Sequence, residues 1–166
     1  MSCEKDAPQV TVALMREADL PEILAIENES FPLPWTAAMF IKELNNANAQ
    51  CLIARVNFGG KSVLGAYIIF WIVADEAHLH NLAVKKEFRR QSLAFNLLKA
   101  MQEIARQVGI KAQTLEVRQS NTSAIKLYEK CGFVVKGIRP LYYPETHEDA
   151  LIMWAPLETT GASRKK

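Results

Sequence analysis

Three stretches of the chain hold residues whose types and spacing could do chemistry. The first is Asn81-Leu82-Ala83-Val84-Lys85-Lys86-Glu87-Phe88-Arg89-Arg90-Gln91-Ser92-Leu93-Ala94. An apolar strand ending runs into a basic turn, and the turn opens onto an amphipathic helix. A helix N-terminus leaves backbone N–H groups unpaired and carries partial positive charge. The N–H groups from Arg90 through Gln91, Ser92 and Leu93 to Ala94, with Arg89 and Arg90 beside them, could therefore hold a diphosphate. Taken alone, the same turn reads slightly better as a solvated loop with ordinary surface charge.

The second stretch, Leu115 to Phe133, contains Glu116, Arg118, Asn121 and Tyr128. Strand alternation puts Thr114, Glu116 and Arg118 on one face. From pattern alone Glu116 reads better as a solvent-facing strand carboxylate and Tyr128 as a core aromatic, while Asn121 can cap the helix. The third stretch, Gly137 to Met153, carries the pair Tyr142-Tyr143. Adjacent strand residues point to opposite faces, so one of the two at most belongs to the core. His78, His80 and His147 read as strand or turn residues without metal-ligand spacing and receive no role.

The elements that must position these residues follow from periodicity and punctuation. Asp19 can cap a helix with Pro21 in its first turn and an apolar face of Leu20, Ile23, Leu24 and Ile26. Phe31-Pro32-Leu33-Pro34-Trp35 is interrupted by two prolines and is not regular helix. Thr36 caps a second helix. Residues 50–56 and 62–73 read as strands joined across Asn57-Phe58-Gly59-Gly60-Lys61, a hairpin signal, and 77–84 is a further strand. The helix from Leu93 repeats apolar residues at Leu97, Leu98, Met101, Ile104, Ala105 and Val108 and ends at Gly109. Residues 113–118 form a strand, a short helix runs from Ser120-Asn121 to Gly132, and 133–138 and 149–154 close as strands. The order is helix, helix, several antiparallel strands, helix, strand, helix, strand, strand: an α+β class with a mixed, mostly antiparallel central sheet flanked by about four helices.

Composition sets the outer limits. The 166 residues suit one domain (1–158) with room for a core, followed by a frayed basic tail (159–166) ending Arg164-Lys165-Lys166. With 49% hydrophobic residues, disorder is not expected, and a net charge of +2 gives no argument for nucleic acid. Cys3, Cys51 and Cys131 are odd in number and lack metal spacing, so reduced thiols in a cytoplasmic protein are expected. Met1 to Gln9 lacks the apolar core of a signal peptide. The longest apolar run, Leu64 to Ala74, is too short to span a bilayer.

Set side by side, the motifs resemble one family. Arg-Arg-Gln-Ser-Leu-Ala (89–94) is similar to the pyrophosphate loop Arg/Gln-x-x-Gly-x-Gly/Ala of the GNAT acetyltransferases, with Ser92 where glycine is usual. Asn121 with Ala124, Leu127, Tyr128, Gly132 and Phe133 resembles a second GNAT signature. Tyr142-Tyr143 followed by a polar turn and Glu148-Asp149-Ala150-x-x-Met153 resembles the protein N-terminal acetyltransferases, in particular the ribosomal-protein alanine N-acetyltransferases. Phe31-Pro32-Leu33-Pro34-Trp35 is similar to the Phe-Pro loop of that branch. The likeness extends over nearly the whole chain, from about Val10 to Leu157.

The resemblance implies acetyl-coenzyme A as cosubstrate and direct transfer in a ternary complex, with no metal. It implies Glu116 as base, directly or through a water, and Tyr128 as acid for the leaving thiolate. The cofactor would lie along the backbone of Leu82, Ala83 and Val84, with Arg89, Arg90, Gln91, Ser92, Leu93 and Ala94 at the diphosphate and Asn121 nearby. Phe31, Pro32, Leu33, Tyr142 and Tyr143 would wall a slot for a peptide N-terminus, a ribosomal protein beginning with alanine being the leading substrate by analogy. No nucleic-acid or membrane partner is expected. Two alternatives stay open: a GNAT enzyme for a small amine or internal lysine, and a coenzyme A-binding module without catalysis, made thinkable by Ser92.

Overall fold

The computed structural model of the chain describes residues 7–158. Cys3 and the basic tail lie outside the described residues. The elements run β1 (Gln9–Leu14), α1 (Leu20–Ser30), α2 (Ala37–Leu44), β2 (Ala49–Phe58), β3 (Lys61–Val73), β4 (Glu76–Val84), α3 (Leu93–Gln107), β5 (Ala112–Arg118), α4 (Thr122–Lys130), β6 (Val134–Tyr143) and β7 (Glu148–Pro156). They build one seven-stranded sheet in the order β1-β2-β3-β4-β5-β7-β6. All neighbours are antiparallel except β4 and β5. The expected α+β class with four helices is the fold observed.

One strand was not anticipated. β1 alternates Val10, Val12 and Leu14 with polar or small residues and pairs along β2, yet all six of its residues are exposed. An edge strand held by backbone bonds buries too little to announce itself in a pattern. A second difference concerns Asp19. It does not cap α1; its carboxylate accepts from the Arg16 N–H at 2.8 Å and from Arg55 Nη2 at 2.7 Å. Thr36 does cap α2, accepting from Met39 N–H at 3.4 Å. The β2–β3 hairpin turns through Gly59 (φ 54°) and Gly60 (φ 74°), the left-handed pair a two-residue hairpin needs.

The sheet separates two cores. On one face α3 and α4 pack Leu93, Leu97, Leu98, Met101, Ala105, Tyr128 and Phe133 onto β-strand residues such as Ile68, Phe70, Leu115 and Val117. Each large apolar side chain buried here contributes about 1.5–3 kcal/mol. On the other face α1 and α2 pack Ile23, Ile26 and Phe40 onto Tyr67, Ile69 and Ala83. The alternation of β3 and β4 is interrupted by a bulge: Ile69 lies opposite Asn81 but Phe70 opposite Leu79, so His80 is the extra residue. Consequently Ala77 and Leu79 belong to the α3 core, while Ala83 belongs to the α1 core.

Candidate active site

The centre of the molecule is a fork in the sheet. β4 and β5 pair in parallel only from Glu76 to Leu79 against Ala112 to Leu115. Beyond that point no β5 residue pairs with β4, and β5 pairs on its other edge with β7. The backbone of Leu82, Ala83 and Val84 therefore keeps β3 as ladder partner but has none from β5. Polar backbone groups along such an edge must find another partner, and an extended amide-bearing ligand can supply one.

The basic turn leads from the fork to α3. Arg90 (φ 61°) and Ser92 (φ 64°) are both left-handed. Glycine is favoured at such a position because a Cβ is strained there; Ser92 occupies it, as the residue before the first turn of α3, and makes no side-chain cap bond. Arg89 folds back instead of fanning over the helix start: its Nε donates to the Val84 carbonyl at 3.1 Å and its Nη2 to Ser30 Oγ at 3.3 Å. Gln91 Nε2 donates to the Glu87 carbonyl at 3.2 Å. Arg89 and Gln91 thus brace the turn, and Arg90 is exposed beside it. Gly65 seats α3 on the sheet, since a Cβ there would come within 2.6 Å of Leu93 Cδ2. Leu93 is buried and Ala94 half-buried at the helix start. Asn121 accepts from Ala124 N–H at 3.3 Å and caps α4.

At the fork stands Glu116, with a side chain 17% exposed. Its Oε2 lies 3.3 Å from His78 Nε2, and its Oε1 lies 3.3 Å from Arg139 Nε. The His78 hydrogen bond first, and the charges of His78, Arg139 and His80 after it, hold the carboxyl below the usual carboxylate range against the opposing effect of burial. The ring of His78 stacks at 4.5 Å on that of His80, which stacks at 4.2 Å on Trp71. Trp71 Nε1 donates to Glu43 on α2 at 2.7 Å.

Tyr128 is 8% exposed and packs edge-on to Phe133 at 5.9 Å. Burial, then the neighbouring Tyr143, push its phenol well above the usual range, so the hydroxyl keeps its proton. Tyr143 is pushed up to about 12, chiefly by burial. The guanidinium of Arg118 covers the Tyr143 ring at 3.9 Å and is held in turn by Glu145 and Thr146. Tyr142 is exposed, and Arg139 lies 5.7 Å from its ring centre. The two tyrosine rings meet edge-on at 5.1 Å, which corrects the expectation that they point to opposite faces. The reason is a bulge: between the pairs Arg139–Ala150 and Tyr143–Glu148 the ladder slips, and Leu141 is left-handed (φ 50°) with its N–H donating to Asp149 Oδ1 at 2.8 Å.

The proline loop reaches the fork through a second carboxylate. Glu27 on α1 is 1% exposed. Its Oε1 accepts from Trp35 N–H at 2.8 Å, and its Oε2 from Asn81 Nδ2 at 3.1 Å and from the Tyr67 hydroxyl. One buried carboxylate thus ties the loop's last residue to β4 beside Leu82. Phe31 and Trp35 pack on the α1 core, while Pro32 and Leu33 are exposed.

Sequence reasoning passed over His78, Arg139 and Glu27. His78 could have been suspected from parity with the strand face that carries Glu116 once β4 and β5 were set side by side. Glu27 and Arg139 offered no local signal, because their partners lie far along the chain. Among the described residues no group of three or more His, Cys, Asp and Glu side chains is arranged to hold a metal ion, and no helix is long and apolar enough to cross a membrane.

Comparison with known proteins adds a family model, two named relatives and two solved structures. Residues 20–133 match the family model of the acetyltransferase (GNAT) family. The chain is 36% identical over 149 residues to the ribosomal protein bS18 alanine N-acetyltransferase of Escherichia coli K12, covering 89% of this chain and 97% of that one. It is 37% identical over 140 residues to the enzyme of the same name from Haemophilus ducreyi, covering 82% and 93%. Among solved structures, the ribosomal-protein-S18-alanine N-acetyltransferase of Escherichia coli superposes with a TM-score of 0.80 at 33% identity, covering 95% of this chain and all of that one. Ard1 of Thermoplasma volcanium shares the fold, with a TM-score of 0.79 at 24% identity.

Proposed function

We propose a substrate and a mechanism for this chain from one premise: it belongs to the acetyltransferase (GNAT) family and is an acetyl-coenzyme A-dependent N-acetyltransferase. The acceptor is the free α-amine of a protein N-terminus, and the leading substrate is ribosomal protein bS18 with its N-terminal alanine. The support is similarity that runs nearly end to end to relatives bearing that activity in their names. A ribosomal substrate places the enzyme in the cytoplasm. The observation that carries the mechanism is the fork, where the stretch of β4 left unpaired by β5 lies beside the ionised carboxylate of Glu116.

Each residue then has a task. The β4 edge at Leu82, Ala83 and Val84 orients the thioester and polarises its carbonyl through a backbone N–H. The N–H groups from Arg90 to Ala94 bind the diphosphate, on a turn braced by Arg89 and Gln91, with Asn121 holding the start of α4 alongside. When bound, acetyl-coenzyme A supplies the activated acetyl group. A protein α-ammonium has a reference pKa of about 8, against roughly 10.4 for lysine, so its proton is drawn off far more readily near neutrality. Glu116 draws that proton, directly or through a water, and Tyr128 gives a proton to the leaving thiolate. Phe31, Pro32 and Leu33 on one side and Tyr142 and Tyr143 on the other wall the peptide slot.

The test is a pair of peptides that begin with alanine and contain lysine, one with a free and one with a blocked N-terminus. Mass spectrometry should find the acetyl group on the α-amine of the first and none on the second. Acetylation of internal lysine, or of a free polyamine in preference to peptide, would overturn the assignment.

A further inference from the structure

We propose that the proton leaving the substrate amine comes to rest on His78, with Glu116 acting as the carboxylate that orients and charges this imidazole. The proposal rests on the acetyltransferase reading above and replaces one step of it: the proton assigned there to Glu116 is taken by His78, which Glu116 orients. Three observations point there. His78 and Glu116 meet at 3.3 Å across the last paired stretch of β4 and β5, where the fork opens. Glu116 is held on its other oxygen by Arg139, so it is fixed in place and kept ionised. His78 is itself half-buried at the cleft, its ring set by stacking on His80.

The chemistry follows from matching donor to acceptor. An ionised carboxylate only accepts, so the ring nitrogen facing it, Nε2, carries the hydrogen, and Nδ1 is left as the basic nitrogen. A carboxylate well below the amine in proton affinity is a poor final acceptor for an ammonium proton. An imidazole, with a reference value of about 6.5, is far closer to an α-ammonium at about 8. Charge placed on His78 is stabilised at once by Glu116, the arrangement by which a carboxylate supports an imidazolium. The proton count closes. His78 Nδ1 takes one proton from the α-ammonium, directly or through a water, and returns it to solvent after turnover. The freed amine lone pair forms the C–N bond as the C–S bond breaks. Tyr128 protonates the thiolate and is replenished by the second amine proton.

The charged and titratable groups around His78 are Glu116 from β5, with Arg139 of β6 on the far oxygen of that carboxylate, His80 on its own strand, and Glu43 of α2 behind Trp71 and His80. Partial burial and then the neighbouring His78 lower the proton affinity of His80.

The experiment reads His78→Gln against the wild type, on whichever amine the wild type acetylates, so a wrong substrate assignment does not mask the result. At neutral pH kcat should fall about 100-fold, with KM for acetyl-coenzyme A unchanged. The deficit should shrink as pH rises above the amine's own value, where no acceptor is needed. Added imidazole should restore part of the rate to His78→Ala. Independently of turnover, the NMR titration of the His78 ring should move to lower pH in Glu116→Gln. A His78→Gln enzyme with the wild-type pH profile, a deficit constant up to pH about 9.5, or a His78 titration indifferent to Glu116→Gln would each overturn the proposal.

Discussion

Glu27 and Glu116 are two carboxylates held by three donors and by two, and they sit on the same side of the sheet to opposite ends. Glu27 is sealed: backbone N–H, amide and phenol saturate it, and 1% of the residue meets solvent. Glu116 meets one partner that is always charged and one that titrates, in a cleft where its side chain keeps 17% exposure. The first carboxylate fixes where the proline loop stands relative to β4. The second can exchange charge with whatever enters the fork. Hydrogen-bond saturation, more than burial alone, separates a carboxylate that builds a site from one that works in it.

The sharpest way to break this comparison is Glu27→Ala. It leaves the Trp35 N–H, the Asn81 amide and the Tyr67 hydroxyl facing a void, and each orphaned donor costs about 1–3 kcal/mol. A stability loss of at least about 3 kcal/mol is expected in urea denaturation, together with a raised KM for peptide. A variant as stable as the wild type would show that Glu27 is not the anchor described. Tyr128→Phe is next. The ring still packs on Phe133, so stability should hold within about 1 kcal/mol, while turnover falls tenfold or more without a change in acetyl-coenzyme A affinity. A loss confined to cofactor affinity would make Tyr128 a binding residue.

Ser92→Gly carries the smallest effect. The left-handed backbone at Ser92 favours glycine, so the variant should gain up to about 1 kcal/mol in stability and bind coenzyme A equally well or better. Calorimetry showing a marked loss of affinity would mean that the Ser92 hydroxyl is itself a phosphate ligand.

How much of this could be read from the sequence divides along the same line. The helices, the hairpin at Gly59-Gly60 and the α+β class were legible because apolar periodicity and glycine punctuation are local. The strand face of Glu116 followed from alternation alone. β1 was missed because an exposed edge strand leaves little pattern. The tyrosine pair was misplaced because a bulge at Leu141 breaks the alternation on which the expectation rested. The trio of Glu27, Tyr67 and Asn81, and the pairing of Glu116 with His78, join residues about forty or more positions apart. No local rule ties such residues together; only the sheet order does.

The most direct test of the account is Glu116→Gln, read as a pH–rate profile for a peptide with a free N-terminus. The carboxyl is depressed below its ordinary value, so it stays ionised from the acid range upward, and its favourable pairing is lost only as pH falls through that depressed value. Neutralising it removes that pairing, so stability near neutrality should fall, by about 1 kcal/mol or less for a pair this open to solvent. Turnover should fall at least about 100-fold at neutral pH and recover as the amine itself loses its proton. A variant that folds as before and acetylates at the wild-type rate across the profile would contradict the account and return Glu116 to the role of an ordinary strand carboxylate.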